Sequence, residues 1–87
     1  MSLRKIAATR VYLDVSSAHT SLPEFYTNHV IELTDHILTN HYPLTTELPH
    51  TEWIGGTIVI RNQRAYHTGK VLSPEEAHSH TTDLNAI

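Results

Sequence analysis

From Arg10 to Val15 polar and apolar residues alternate at every step, with Val11, Leu13 and Val15 interleaved with Arg10, Tyr12 and Asp14. A period of two is the mark of a half-buried strand, because successive side chains leave a pleated backbone on opposite faces. Residues 5–15 therefore read as a first strand. This alternation decides which side chains of the chain share a surface.

The segment Trp53–Arg61 reads as a second strand, interrupted at Gly55-Gly56, where a bulge or a close backbone approach is expected. Asn62-Gln63 reads as a two-residue turn into a third strand from Arg64 to about Val71. That turn sets Arg61 against Arg64, Ile60 against Ala65, Val59 against Tyr66 and Ile58 against His67. Parity then gathers Val11, Leu13, Val15, Ile58, Ile60, Ala65 and His67 on a covered face. Arg10, Tyr12, Val59, Arg61, Arg64, Tyr66 and Lys70 fall on the other.

Between the first two strands, Ser21-Leu22-Pro23-Glu24 has the spacing of a helix capping box. A helix running to about Asn40 would put Leu22, Tyr26, Val30, Leu33, Ile37 and Leu38 on one face. Residues 42–51, with Pro43 and Pro49, read as a loop. Ser73-Pro74-Glu75-Glu76 is a second capping box, and the poor helix formers after it imply a short helix fraying into a mobile tail over residues 78–87. The order β-α-β-β, with a short C-terminal helix or tail, predicts an α+β fold: a small three-stranded sheet with one long amphipathic helix on one face.

Residues 1–87 are one domain by length, 39% of them hydrophobic. A core this small leaves little stability, so a homodimer or larger assembly is expected. The chain has no cysteine, which excludes disulfides, thiolate metal sites and cysteine nucleophiles. No apolar run has the length of a signal peptide or a membrane span, so the expected location is cytoplasmic with no membrane partner.

All six basic residues fall in or beside strands, and none lies between Arg10 and Arg61, although the net charge is −3. A basic and aromatic sheet face in an acidic protein suits an acidic protein surface, a nucleotide, single-stranded nucleic acid or another anion. The residues assigned to it are Arg10, Tyr12, Arg61, Arg64 and Tyr66. Ser17 and His19 join them as polar contacts at the strand-to-helix loop. No sequence of the GxGxxG, Walker or zinc-finger type is present, and no cofactor is expected.

Eight histidines supply the competing readings. On the expected helix His29, Glu32 and His36 share an arc, and His78 and His80 form a His-x-His pair; either set could ligate a metal ion. The helical rise holds His29 and His36 about 10 Å apart, which favours a Glu32–His36 pairing over ligation. His41 and His67 are expected to be structural. Asp14, Ser16, Ser17 and His19 contain the residue types of a hydrolase triad, but bunched into six positions without a nucleophile elbow. The expected function is thus a non-catalytic binding or accessory module, with a His/carboxylate metal-binding protein and a small histidine-dependent enzyme as alternatives.

Overall fold

The computed structural model describes residues 2–13, 24–45, 50–77 and 81–84. Seven strands form one mixed sheet: β1 Leu3–Tyr12, β2 Phe25–Thr34, β3 Ile37–Pro43, β4 Thr51–Trp53, β5 Thr57–Arg61, β6 Arg64–Thr68 and β7 Thr82–Asp83. The order across the sheet is β3-β2-β1-β5-β6-β7, with β4 also paired to β1. A 3₁₀ turn, Pro74–Glu76, lies between β6 and β7.

The expected α+β fold is therefore wrong, and its long helix is the error. Residues 25–43 form a β-hairpin, β2 antiparallel to both β1 and β3. Its turn, Asp35-His36, has φ of 50° and 72°, the left-handed pair that a tight hairpin requires. The segment is rich in β-branched and aromatic residues (Phe25, Tyr26, Thr27, Val30, Ile31, Thr34, Ile37, Thr39, Tyr42), which lose side-chain freedom in a helix and fit a pleated surface. Two features hide the period of two. Val30 and Ile31 are both fully buried, so the two faces of the strand are equally apolar at that point. Asn28 takes φ 48° where the β1–β2 ladder breaks opposite Thr9. The first capping box falls largely outside the described residues, and Glu24 is not helical.

The rest of the strand reading needs smaller changes. The β5–β6 register is the expected one at all four positions, and Asn62 and Gln63 supply the positive φ values of the turn. The third strand stops at Thr68. The expected strand over residues 53–61 divides in two: β4 and β5 both run parallel to β1, but β5 is offset by one residue relative to β4. Gly55 and Gly56, at φ 62° and 54°, absorb that extra residue. Ile54 and Arg10 keep the ladder closed across the gap: the Ile54 amide donates to Ala7 and the Arg10 amide to Gly56.

One face of the sheet carries the main core: Ile6, Ala8, Val11, Ile31, Leu33, Ile58, Ile60, Ala65 and Leu84. No helix covers it. The sheet curls on itself instead, until β3 meets β6 and the Leu38 amide donates to the Gln63 carbonyl (2.8 Å). Ala8 and Val11 are three residues apart yet share this face, so the alternation along β1 slips by one at Thr9-Arg10. A smaller cluster, Tyr12, Val59, Leu72 and Ala77, occupies the other face.

Gly56 offers a direct check. A Cβ there would be driven into the Thr68 carbonyl and the Gly69 backbone, in a backbone conformation that L-residues avoid. Gly56→Ala should destabilise by roughly 1–3 kcal/mol in denaturant unfolding. Gly69→Ala, where a Cβ meets nothing within 4 Å, should leave the midpoint nearly unchanged.

Candidate functional site

Strand parity does place Arg10, Tyr12, Val59, Arg61 and Tyr66 on one face: the register joins Tyr12 to Val59, Val59 to Tyr66 and Tyr66 to Asp83. That face is not open. After Thr68 the chain turns back over it, and residues 70–77 lie across Tyr12 and Val59. The expectation of an uncovered flank followed from covering the opposite face with a helix.

The overlying segment is held through its backbone. The buried Thr57 hydroxyl donates to the Lys70 carbonyl (2.7 Å) and accepts from the Leu72 amide (2.8 Å). The Leu72 carbonyl accepts from the Tyr12 hydroxyl (2.6 Å) and from the Arg10 guanidinium (2.8 Å). Arg61 donates to the Ala77 carbonyl (3.3 Å) and to the Thr81 hydroxyl (3.2 Å). An irregular segment packed on a sheet face leaves its own amides and carbonyls without ladder partners, and these four side chains satisfy them. Arg10 also lies over the Phe25 ring, 4.2 Å from its centroid, and Arg61 over Tyr66 at 5.0 Å.

Tyr12 is therefore fully buried, and Arg10 and Arg61 are half-buried with donors turned inward. Arg64 is exposed, directly opposite Arg61 across the β5–β6 turn, and Tyr66 is half-buried beneath Arg61. Like charges directly opposite one another on a sheet repel. Arg61 directs its hydrogen bonds to neutral oxygens, and the register brings one carboxylate, Asp83, to this face beside Tyr66. Of the other cations, Arg4 is paired with Glu52 at 3.0 Å. Ser17 and His19, with the whole Asp14–His19 cluster, lie outside the described residues.

The histidines regroup once the helix is gone. His29 and Glu32 point to opposite faces of β2, and His36 sits in the hairpin turn, so the trio does not converge. Glu32 accepts from the Tyr42 hydroxyl (2.6 Å) rather than pairing with His36 as expected. His78 and His80 are outside the described residues, among which no group of three His, Cys, Asp or Glu side chains could hold a metal ion. His67 lies on the enclosed face as expected, but its Nε2 is buried without a hydrogen-bond partner among the described residues. His41, expected on an apolar helix arc, is exposed on β3 and meets the buried His29, Nδ1 to Nε2, at 2.9 Å. Tyr26 stacks on His29 with centroids 4.5 Å apart. The sequence offered no signal for this trio, because residues 26, 29 and 41 share a face only after the slip at Asn28.

Compared with family models, curated proteins and solved structures, the chain matches none. No helix among the described residues is long and apolar enough to cross a membrane.

Two measurements follow from this geometry. Thr57→Val keeps the side chain's shape but leaves the Leu72 amide unpaired, at a cost of about 1–3 kcal/mol. Amide exchange at Leu72 should rise sharply, and Thr57→Ser should restore protection. The second concerns Tyr42, whose hydroxyl is pushed up to about 12 by its bond to Glu32, then by burial and by the carboxylate's charge. The stabilisation is complete below the ordinary value of 10.0 and is lost as pH rises through about 12. Tyrosinate absorbance should show a phenol titrating at about 12 that Tyr42→Phe removes, and the same variant should flatten the alkaline loss of stability.

Proposed function

We propose that the protein is a small non-catalytic binding module that self-associates and engages an anionic partner, an acidic protein surface or a nucleotide-type phosphate, through the Arg61–Arg64 corner of its sheet. The observation that carries this reading is the pairing of Arg61 with Arg64 directly across one hairpin turn, with the Arg61 guanidinium over the Tyr66 ring. A structure built for stability alone would place a carboxylate opposite one of them. An anion held between the two arginines would relieve the repulsion and use the planar donors that Arg64 presents to solvent. The sites assigned to Arg10 and Tyr12 enter this proposal as supports, since both hold the covering segment beside the corner. Self-association draws support from large apolar side chains left exposed, Leu3 at 56% and Trp53 at 55% foremost.

The test is a binding titration by fluorescence anisotropy, using a labelled single-stranded oligonucleotide and, separately, a labelled glutamate-rich peptide. Arg64 is exposed, so Arg64→Glu should leave the unfolding transition in place and weaken binding about tenfold or more, equivalent to about 1.4 kcal/mol. Binding should also weaken steeply with added salt. Equal affinity of wild type and Arg64→Glu for both probes would overturn the reading.

A further inference from the structure

On the face opposite the arginine corner, His29 of β2 and His41 of β3 meet ring to ring. Their facing nitrogens are 2.9 Å apart while their ring centroids are 5.2 Å apart. The difference between those distances is what two imidazole radii occupy when both nitrogens lie on the line joining the centroids. The N–H of one ring therefore points straight at the lone pair of the other. Two metal ligands would have to aim their lone pairs at a common third point, so the arrangement is that of a shared proton.

We propose that this pair is a proton-operated latch on the sheet edge: it holds β3 to β2 while at least one imidazole is neutral and releases the strand when both are charged. The electronic bookkeeping sets the threshold. In the neutral pair one proton lies between the facing nitrogens. A first added proton can reside on the outer nitrogen of the exposed His41, whose Nδ1–H then donates to His29. A second proton has to fall on His29 and puts an N–H on both sides of the contact, which breaks the bond and sets two positive rings together.

The surroundings oppose that second proton without neutralising it. Tyr26, from the same strand, stacks on His29 and closes on His41 with centroids 5.8 Å apart. From β1 the neighbour across the ladder is Ala8, and the cation on this face is Arg4, whose charge is matched by Glu52 of β4. Glu32 of β2 is turned to the opposite face, bonded to Tyr42. On β3 the Asn40 side chain accepts from the His41 amide. His67 of β6 shares this face. Among the described residues, then, no free carboxylate stands beside the pair to stabilise a second charge. Burial, and then the nearby His41, lower the pKa of His29 from its ordinary 6.5. The sign follows from that direction: the contribution to stability is whole above 6.5 and is lost as pH falls from there through the lowered value.

The partner strand is one that can let go. β3 is at the end of the sheet order, is tied to the β5–β6 turn at Leu38, carries a register shift opposite Glu32/Leu33, and is exposed from Thr39 to His41 beyond that tie. An edge strand of this kind opens before the centre of a sheet does.

The test compares amide-exchange protection, corrected for intrinsic rates, between about pH 7.5 and about pH 5, the range over which imidazoles charge. Protection of the β2–β3 amides should fall about tenfold more than that of the β5–β6 hairpin, equivalent to about 1.4 kcal/mol. In His41→Gln, which accepts no second charge, the excess loss should vanish. The His29 imidazole resonances should then titrate closer to the ordinary histidine range. Equal loss of protection in both hairpins, or a His29 titration unmoved by His41→Gln, would overturn the latch. If His41→Gln does not fold, His29→Phe keeps the ring stacked on Tyr26 without charge and should show the same missing acid transition; an unchanged transition in that variant overturns it equally.

Discussion

The fold depends on β1 being satisfied on both edges and both faces at once. One edge pairs with β2, and the other is shared by β4 and β5. One face gives Ile6, Ala8 and Val11 to the main core, while Ala7 and Tyr12 are buried on the other. The backbone polar groups of a central strand must find ladder partners on both sides. Two local adjustments reconcile that demand with two apolar faces: the slip at Thr9-Arg10 and the extra residue taken up at Gly55-Gly56. Without the slip, Val11 would leave the core and Tyr12 would enter it. Without the glycines, β4 and β5 could not both keep register with one strand.

These adjustments explain why some of the fold was legible in the sequence and some was not. The β5–β6 hairpin was legible because its period of two is unbroken and its turn is local. Asn tolerates the left-handed conformation, and every pairing follows from the turn by counting. The second capping box was legible for the same reason: the Glu76 carboxylate receives the Ser73 amide and hydroxyl, both at 3.0 Å, and is held below the usual carboxylate range by those bonds. The β2–β3 hairpin was not. Burial on two faces makes a strand look uniformly apolar, and the spacing of Val30, Leu33 and Ile37 then satisfies a helical period as well as any other. The turn between the strands, Asp35-His36, lacks the glycine that marks most such turns.

The candidate site was half legible. Alternation correctly grouped Arg10, Tyr12, Arg61 and Tyr66, because parity survives between neighbouring strands. It carries no information about what lies above the face. The clue that it would be covered lay in Leu72 and Ala77, two apolar positions flanking the second capping box, and in Thr57, a polar residue in an otherwise apolar strand. A buried threonine with two backbone partners in one segment ties that segment down more firmly than an apolar contact of the same size, since leaving either partner unpaired is costly. Arg10 and Arg61 follow the same logic at longer reach. Their guanidinium groups lie over the aromatic rings of Phe25 and Tyr66 while their donors close off carbonyls.

The two faces therefore divide the charge chemistry of the chain. Arg10, Arg61 and Arg64, whose charge is fixed, occupy the face covered by the returning segment, where permanent donors are needed to hold carbonyls and where one guanidinium, that of Arg64, is left to solvent; Arg4, on the enclosed side, is paired with Glu52. The His29–His41 pair occupies the enclosed face, where a permanent charge would be costly and a group that can be neutral is tolerated. The sheet separates them, and their partners do not overlap. An anion at the Arg61–Arg64 corner and a proton at the β2–β3 edge would then act as independent ligands unless a strand that contacts both regions shifts with one of them. The contact that joins them directly is the Leu38–Gln63 backbone hydrogen bond, which ties β3 to the turn between Arg61 and Arg64 and gives any coupling a shorter route than β1.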